Sequence, residues 1–235
     1  AYLLGQAPGM DNVWVAAGFN SIGIQSAGGA GMALAQWMED GEKPFDLGDV
    51  DVARAQPFQR NRRYLQERVS ETLGLLYADH FPYRQKATAR GVRRTPFHDR
   101  LAAQGAVFGE LSGWERANWY AKPGQDTSYH SSWFKQSWFE NVRDEVHALR
   151  TGLVMYDMSS FGKLRVEGRD ACAFLNHVCG AQMDVEPGRI VYTQWLNQRG
   201  GIEADLTLTR IAPDRYLVVT SAASQIRDLT YLQEH

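Results

Sequence analysis

The chain reads as a mixed α+β protein, on three observations. Residues 202–209 alternate strictly, Ile202, Ala204, Leu206 and Leu208 against Glu203, Asp205, Thr207 and Thr209, the period of a half-buried strand. Residues 65–77 instead carry Leu65, Val69, Leu73, Leu76 and Tyr77 at three- and four-residue steps, the period of an amphipathic helix. Strand- and helix-like segments then interleave along the last hundred residues, with turn residues between them.

In chain order, 11–17 (DNVWVAA) predict a short buried strand, followed by the glycine-rich turn 18–31 (GFNSIGIQSAGGAG). A helix is expected from Gly28 to Asp40, with Gly41 as its stop. Pro, Gly and Asp over 43–52 are loop chemistry, and the Leu65–Tyr77 helix comes next. Residues 81–139 read as irregular and aromatic, with Trp114, Trp119, Tyr120, Tyr129, Trp133, Phe134, Trp138 and Phe139 expected to pack between domains. The last zone predicts a helix over 141–152, a strand–turn–strand over 153–168 and a helix over 169–180. Three strands follow, in 189–197, 201–211 and 214–221, then a closing helix capped by Ser221 or Ser224.

Composition narrows the function classes. With 235 residues, 44% hydrophobic and 22% charged, the chain is globular material for one or two domains. A net charge of −2 gives no basic footprint for nucleic acid, and no apolar run is long enough for a membrane helix. Cys172 and Cys179 lie two helical turns apart, beyond disulfide reach, and form no zinc spacing; no metal site is expected. No secretory signal is visible.

Two stretches carry candidate chemistry. The turn 18–31 opens a helix, whose first amides are unpaired and partly positive. Its small residues permit a flat ring to approach the backbone; alternatively they serve only close strand-to-helix packing. Asp205 is either a ligand-contacting carboxylate or a solvent-facing strand residue, since period two puts it on one face with Glu203 and Thr207.

The run NVWVAAGFNSIGIQSAGGAGMALAQW resembles the end of the FAD domain in flavoproteins of the D-amino-acid oxidase superfamily. ARGVRRTPFHDRLAAQGAVFGELSGWERANWY, MYDMSSFGKLRVEG and NQRGGIEADLTLTR, in collinear order, make the chain similar to the sarcosine dehydrogenase and dimethylglycine dehydrogenase family. The resemblance runs from about Asp11 to His235. It implies the end of an FAD domain over 1–40 and a helical connector over 41–95. Over 96–235 it implies the first part of a glycine-cleavage T-protein-like (aminomethyltransferase-like) folate-binding domain with antiparallel strands. On that likeness the chain is expected to be a section of a longer flavoprotein.

The resemblance further implies an FAD-dependent oxidoreductase that takes a hydride from an N-methyl amine, such as sarcosine or dimethylglycine, and passes the one-carbon unit to tetrahydrofolate. Gly18, Phe19, Asn20, Ser21, Gly23, Ile24 and Gln25 would line the flavin, and Asp205 would be the catalytic carboxylate at the folate. Phe161, Tyr192, Val218, Val219 and Thr220 would line the folate site. Where the T-protein often shows a second acid before this Asp, Ala204 stands here. An electron-transfer flavoprotein is a possible partner, in the bacterial cytoplasm or the mitochondrial matrix. Two other readings stay open: a non-catalytic homologue like the pyruvate dehydrogenase phosphatase regulatory subunit, or a folate-dependent aminomethyl or methyl transferase.

Overall fold

The computed structural model describes residues 2–82 and 84–235, which form two compact units: one from the N-terminus to Gln56 together with Phe161–His235, the other Pro57–Ser160. The fold class is mixed helix and antiparallel strand, as the sequence predicts.

The first unit opens with a small ribbon. Strand β1 (Leu3–Gln6) pairs antiparallel with β2 (Trp14–Ala17). The sequence offers little sign of β1, a four-residue strand without alternation. It is held because Leu4 is fully buried against Ala30, Ala33 and Leu47. Gly5 sits at φ +121°, and a Cβ there would come within 2.6 Å of the Trp37 ring, so glycine lets the helix lie directly on the ribbon.

That helix, α1, spans Gly23–Asp40 and ends at Gly41, whose left-handed φ of 74° and N–H bond to the Trp37 carbonyl close it. It begins five residues before the expected Gly28. The ladder starts when the Ser26 amide donates to the Ile22 carbonyl, so Gly23, Gly28, Gly29 and Gly31 are helical rather than turn residues. Burial of Ala30 and Ala33 against the ribbon offsets the poor helix propensity of those glycines.

The same unit holds a four-stranded antiparallel sheet. Its strands are β5 (Gly162–Glu167), β6 (Ile190–Leu196), β7 (Ile202–Ala212) and β8 (Arg215–Thr220), in the order β5-β8-β7-β6. Helices α5 (Ala171–Val178) and α6 (Gln225–Glu234) supply Leu175, Val178, Tyr231 and Leu232 to the core behind the sheet. There Trp195, Leu206, Leu208, Tyr216 and Val218 are buried, and Tyr231 stacks on Trp195 with centroids 5.4 Å apart. Helix α6 starts after Ser224, and neither Ser224 nor any other side chain caps it.

The second unit contains α2 (Arg62–Tyr77), α3 (His98–Ala103), a hairpin of β3 (Ala106–Leu111) and β4 (Trp114–Tyr120), and α4 (Phe139–Thr151). Asn61 caps α2 by accepting from the Arg63 and Tyr64 amides. Tyr64, not the leucine stripe, is the buried position of α2; Leu65, Val69, Leu73 and Leu76 are exposed. Polar anchors hold the helix instead. Arg68 Nη1 lies 2.6 Å from Glu110 Oε2, and Glu71 accepts from the Ala87 and Thr88 amides.

Two further expectations change here. The aromatic zone contains a hairpin, closed by the two-residue turn Ser112–Gly113, both at positive φ. Trp119 is buried and makes edge contacts with Tyr129, which in turn meets Trp138, so these aromatics pack inside their own unit. Residues 153–158 form no strand. They have no ladder partner, and Asp157 turns the chain by accepting from the Thr95 hydroxyl and the Ser159 amide.

Candidate functional site

Both candidate regions belong to the first unit. In the turn before α1, Gly18 adopts φ +77°, and Asn20 and Ser21 adopt φ +37° and +32°. Such left-handed turns cost energy for residues with a Cβ, and they aim the chain sharply into α1. Phe19 is half-buried, stacked on Tyr2 with centroids 4.4 Å apart. Ile22 provides no side-chain cap and the first turn of α1 has no acidic residue. The amides of Gly23, Ile24 and Gln25 lie at the partly positive N-terminal end of this helix. Ile24 is 99% exposed, and Gly28, Gly31, Met32 and Ala35 continue its open face. A Cβ at Gly28, Gly29 or Gly31 would touch nothing within 4 Å, so the chain itself gives no steric reason for these glycines.

At the other end, the sheet divides the expected folate-lining residues between its two faces. On the open face Asp205 stands across from Gln194, and Tyr192 across from Thr207. Thr207 pairs with Val219, and Val219 with Lys163. Tyr192 is 64% exposed and Asp205 is exposed. The Asp205 carboxylate beside it is the chief reason that the Tyr192 phenol has a pKa above the ordinary value. Gln194 Nε2 approaches Asp205 Oδ1 at 3.4 Å. Phe161 lies just before β5, in step with Lys163, whose Nζ donates to the Phe161 carbonyl at 3.0 Å.

Val218 and Thr220 point the other way. Val218 is fully buried in the core, and the Thr220 hydroxyl donates to the buried carboxylate of Asp228. Period two separates them from Val219, so the three consecutive residues do not line one surface. Sequence reading missed Gln194. The signal was available in the alternation of β6, where Tyr192 and Gln194 share a face, but register with Asp205 is a tertiary fact.

Chemically, the open-face group joins a carboxylate, a phenol and an amide beside an aromatic side. A carboxylate can accept paired N–H donors from a heteroaromatic ring, and Tyr192 can both orient it and lie against such a ring. Among the described residues no group of three or more His, Cys, Asp or Glu is arranged for a metal ion. No described helix is long and apolar enough to cross a membrane.

Two family models match the chain. Residues 97–235 match the model of the GCVT N-terminal domain, and residues 40–95 that of the FAD dependent oxidoreductase central domain. The chain is 47% identical over 232 residues to 4-methylaminobutanoate oxidase (formaldehyde-forming) of Paenarthrobacter nicotinovorans, covering 99% of this chain and 28% of the relative. It is 32% identical to the mitochondrial pyruvate dehydrogenase phosphatase regulatory subunit of Mus musculus, covering 99% of this chain and 27% of the relative. To the mitochondrial dimethylglycine dehydrogenase of Rattus norvegicus it is 31% identical, covering 99% of this chain and 27% of the relative. The chain thus spans little more than a quarter of the length of these relatives. With more than half of its residues matched by one model and the preceding segment by the other, the chain belongs to the GCVT N-terminal domain family, in the form joined to an FAD dependent oxidoreductase central domain.

Proposed function

We propose that the full-length protein is an FAD-dependent dehydrogenase or oxidase of a small N-methyl amine, and that this chain supplies one edge of its flavin site and part of a tetrahydrofolate site. The names of the relatives, a methylaminobutanoate oxidase and a dimethylglycine dehydrogenase, point to N-methylated amino acids as the substrate class. Bound FAD would supply hydride acceptance from the N-methyl carbon, which leaves an electrophilic methylene iminium for capture by a folate nitrogen or by water.

The carrying observation is that Tyr192, Gln194 and Asp205 stand together on the open face of the sheet, with Gln194 Nε2 3.4 Å from Asp205 Oδ1. Asp205 would accept N–H bonds from the pterin and hold the proton released as the folate nitrogen attacks the methylene carbon. Tyr192 would keep the Asp205 carboxylate turned toward that ring, and Val219 and Phe161 would supply apolar contact. At the other end the uncapped amides of Gly23, Ile24 and Gln25 would stabilise negative charge at the pyrimidine edge of the flavin. The unforced glycines of α1 fit a ring laid against the helix. Electron transfer to a flavoprotein partner, and a site in the bacterial cytoplasm or mitochondrial matrix, belong to the same proposal.

The test uses the full-length protein. Its flavin should bleach anaerobically on addition of an N-methylated amino acid, and tetrahydrofolate should divert free formaldehyde into methylenetetrahydrofolate. Asp205→Asn should suppress the diversion while bleaching persists. A flavin that no N-methyl amine reduces sinks the oxidase reading. In that event the likeness to the phosphatase regulatory subunit favours a regulatory role, checked by co-purification with the phosphatase.

A further inference from the structure

Just beyond α1, a single half-buried cation serves two carboxylates from distant parts of the chain. Lys43 Nζ lies 3.0 Å from Asp51 Oδ2 and 3.3 Å from Glu203 Oε2, with its ammonium 5.4 Å from the centroid of the Trp37 ring. Burial alone would lower the lysine pKa, but the two carboxylates outweigh it and hold it above the ordinary value. The group lines a polar recess of about 350 Å³.

Each acid has a second duty. Asp51 Oδ1 accepts from the Ala53 amide at 2.8 Å, which fixes it in the loop after α1. Glu203 Oε1 accepts from Asn197 Nδ2 at 3.1 Å, and Asn197 Oδ1 in turn accepts from the Gly201 and Arg199 amides. The turn of the β6–β7 hairpin is thus built on Glu203. Two neighbouring contacts hold the same turn: the Gln198 amide donates to Glu42, and Arg199 pairs with Asp40 at 2.7 Å. The hairpin strands carry Tyr192, Gln194 and Asp205.

We infer that Lys43 is a positioning residue for Asp205, acting through Glu203 and the hairpin turn; this rests on the folate reading given above. Glu203 and Asp205 are two residues apart on one strand and so share a side of it. Removing the ammonium leaves the Glu203 charge unbalanced. The carboxylate then turns to water, Asn197 loses its acceptor, and the hairpin end that sets the Tyr192–Asp205 geometry loosens. Lys43 would never touch folate.

The experiment compares Lys43→Met, Lys43→Arg, Glu203→Gln and the double variant Lys43→Met/Glu203→Gln in the full-length flavoprotein. Anaerobic titration with tetrahydrofolate gives Kd, and amine-driven flavin bleaching serves as the internal reference. Lys43→Met and Glu203→Gln should each raise the tetrahydrofolate Kd roughly five- to tenfold. The double variant should be no weaker than Lys43→Met, because both changes cut one link, and Lys43→Arg should restore Kd to within about twofold. Unchanged Kd in Lys43→Met overturns the inference, as does additivity in the double variant or an equal loss of bleaching and folate binding. Glu203→Gln keeps the buried Asp51 paired with Lys43, so it remains informative where Lys43→Met folds poorly. Absence of tetrahydrofolate binding by the unsubstituted protein overturns the folate reading itself and this inference with it.

Discussion

Substituting Thr220 by Val tests whether the two faces of the sheet do separate work. The change keeps shape and β-propensity but deletes the hydroxyl that donates to Asp228. Thr220 is 3% and Asp228 1% exposed, so water cannot replace the lost donor, although Arg227 still holds the other carboxylate oxygen at 2.8 Å. A hydrogen bond to a buried charge contributes about 1.5–3 kcal/mol. For a chain of this size that corresponds to a melting temperature lower by roughly 3–12 °C. Tetrahydrofolate affinity should stay within about twofold, since the hydroxyl faces the core. Tyr192→Phe, on the open face, should do the reverse: unaltered melting and about fivefold weaker folate binding. Scanning calorimetry and anaerobic binding titration on the same preparations decide the matter. A Thr220→Val protein that melts normally yet loses folate affinity would refute the assignment of faces.

Three other outcomes are expected. Gly105→Ala should destabilise the second unit by about 1–3 kcal/mol, because the residue sits at φ +88° and its Cβ would lie 2.6 Å from the Ala121 carbonyl oxygen; chemical denaturation reads this. Burial pushes the Glu71 carboxyl up, but hydrogen bonds from Thr88 and Ala87 and the nearby charge of Arg68 outweigh it and bring its pKa down to about 2. Its contribution to stability is therefore present above the unfolded value near 4.5 and is lost as pH falls toward 2, so Glu71→Gln should flatten the acid limb of a melting-versus-pH curve. Ile24→Glu puts a negative charge in the uncapped first turn of α1. It should lower the flavin reduction potential in the full-length protein, and an unchanged potential would detach α1 from the flavin edge.

What the sequence revealed follows from how local each signal is. Strands β6, β7 and β8 and helices α2, α4 and α5 carry their period within themselves, and each stands where that period puts it. Strand β1 and the early start of α1 do not, because Leu4 and Ala30 hold each other in place across a tertiary contact. The stripe Leu65–Val69–Leu73–Leu76 correctly predicts a helix but not its buried side, which Arg68 and Glu71 decide through partners about 16 to 42 residues away. At the candidate site the strand period correctly sets Asp205 beside Glu203 and Thr207. Likeness to a family grouped Val218, Val219 and Thr220, although a strand cannot present all three to one ligand.

The same strand arithmetic explains why the contact between α1 and the hairpin is polar. The core face of β6 and β7 is already filled by α5 and α6, so the turn at Asn197–Gly200 offers main-chain, side-chain amide and charged groups. The N-terminal segment answers with Asp40, Glu42 and Lys43. The Asp40–Arg199 pair is about half exposed and should weaken as salt rises, with a screening length of about 8 Å at physiological ionic strength. Lys43 is largely enclosed and its pairs are screened far less. High salt should therefore loosen the rim of this contact first and leave the Lys43 link in place. If raised salt weakened tetrahydrofolate binding no more in Lys43→Met than in the parent, the rim and not Lys43 would be the element that sets the hairpin.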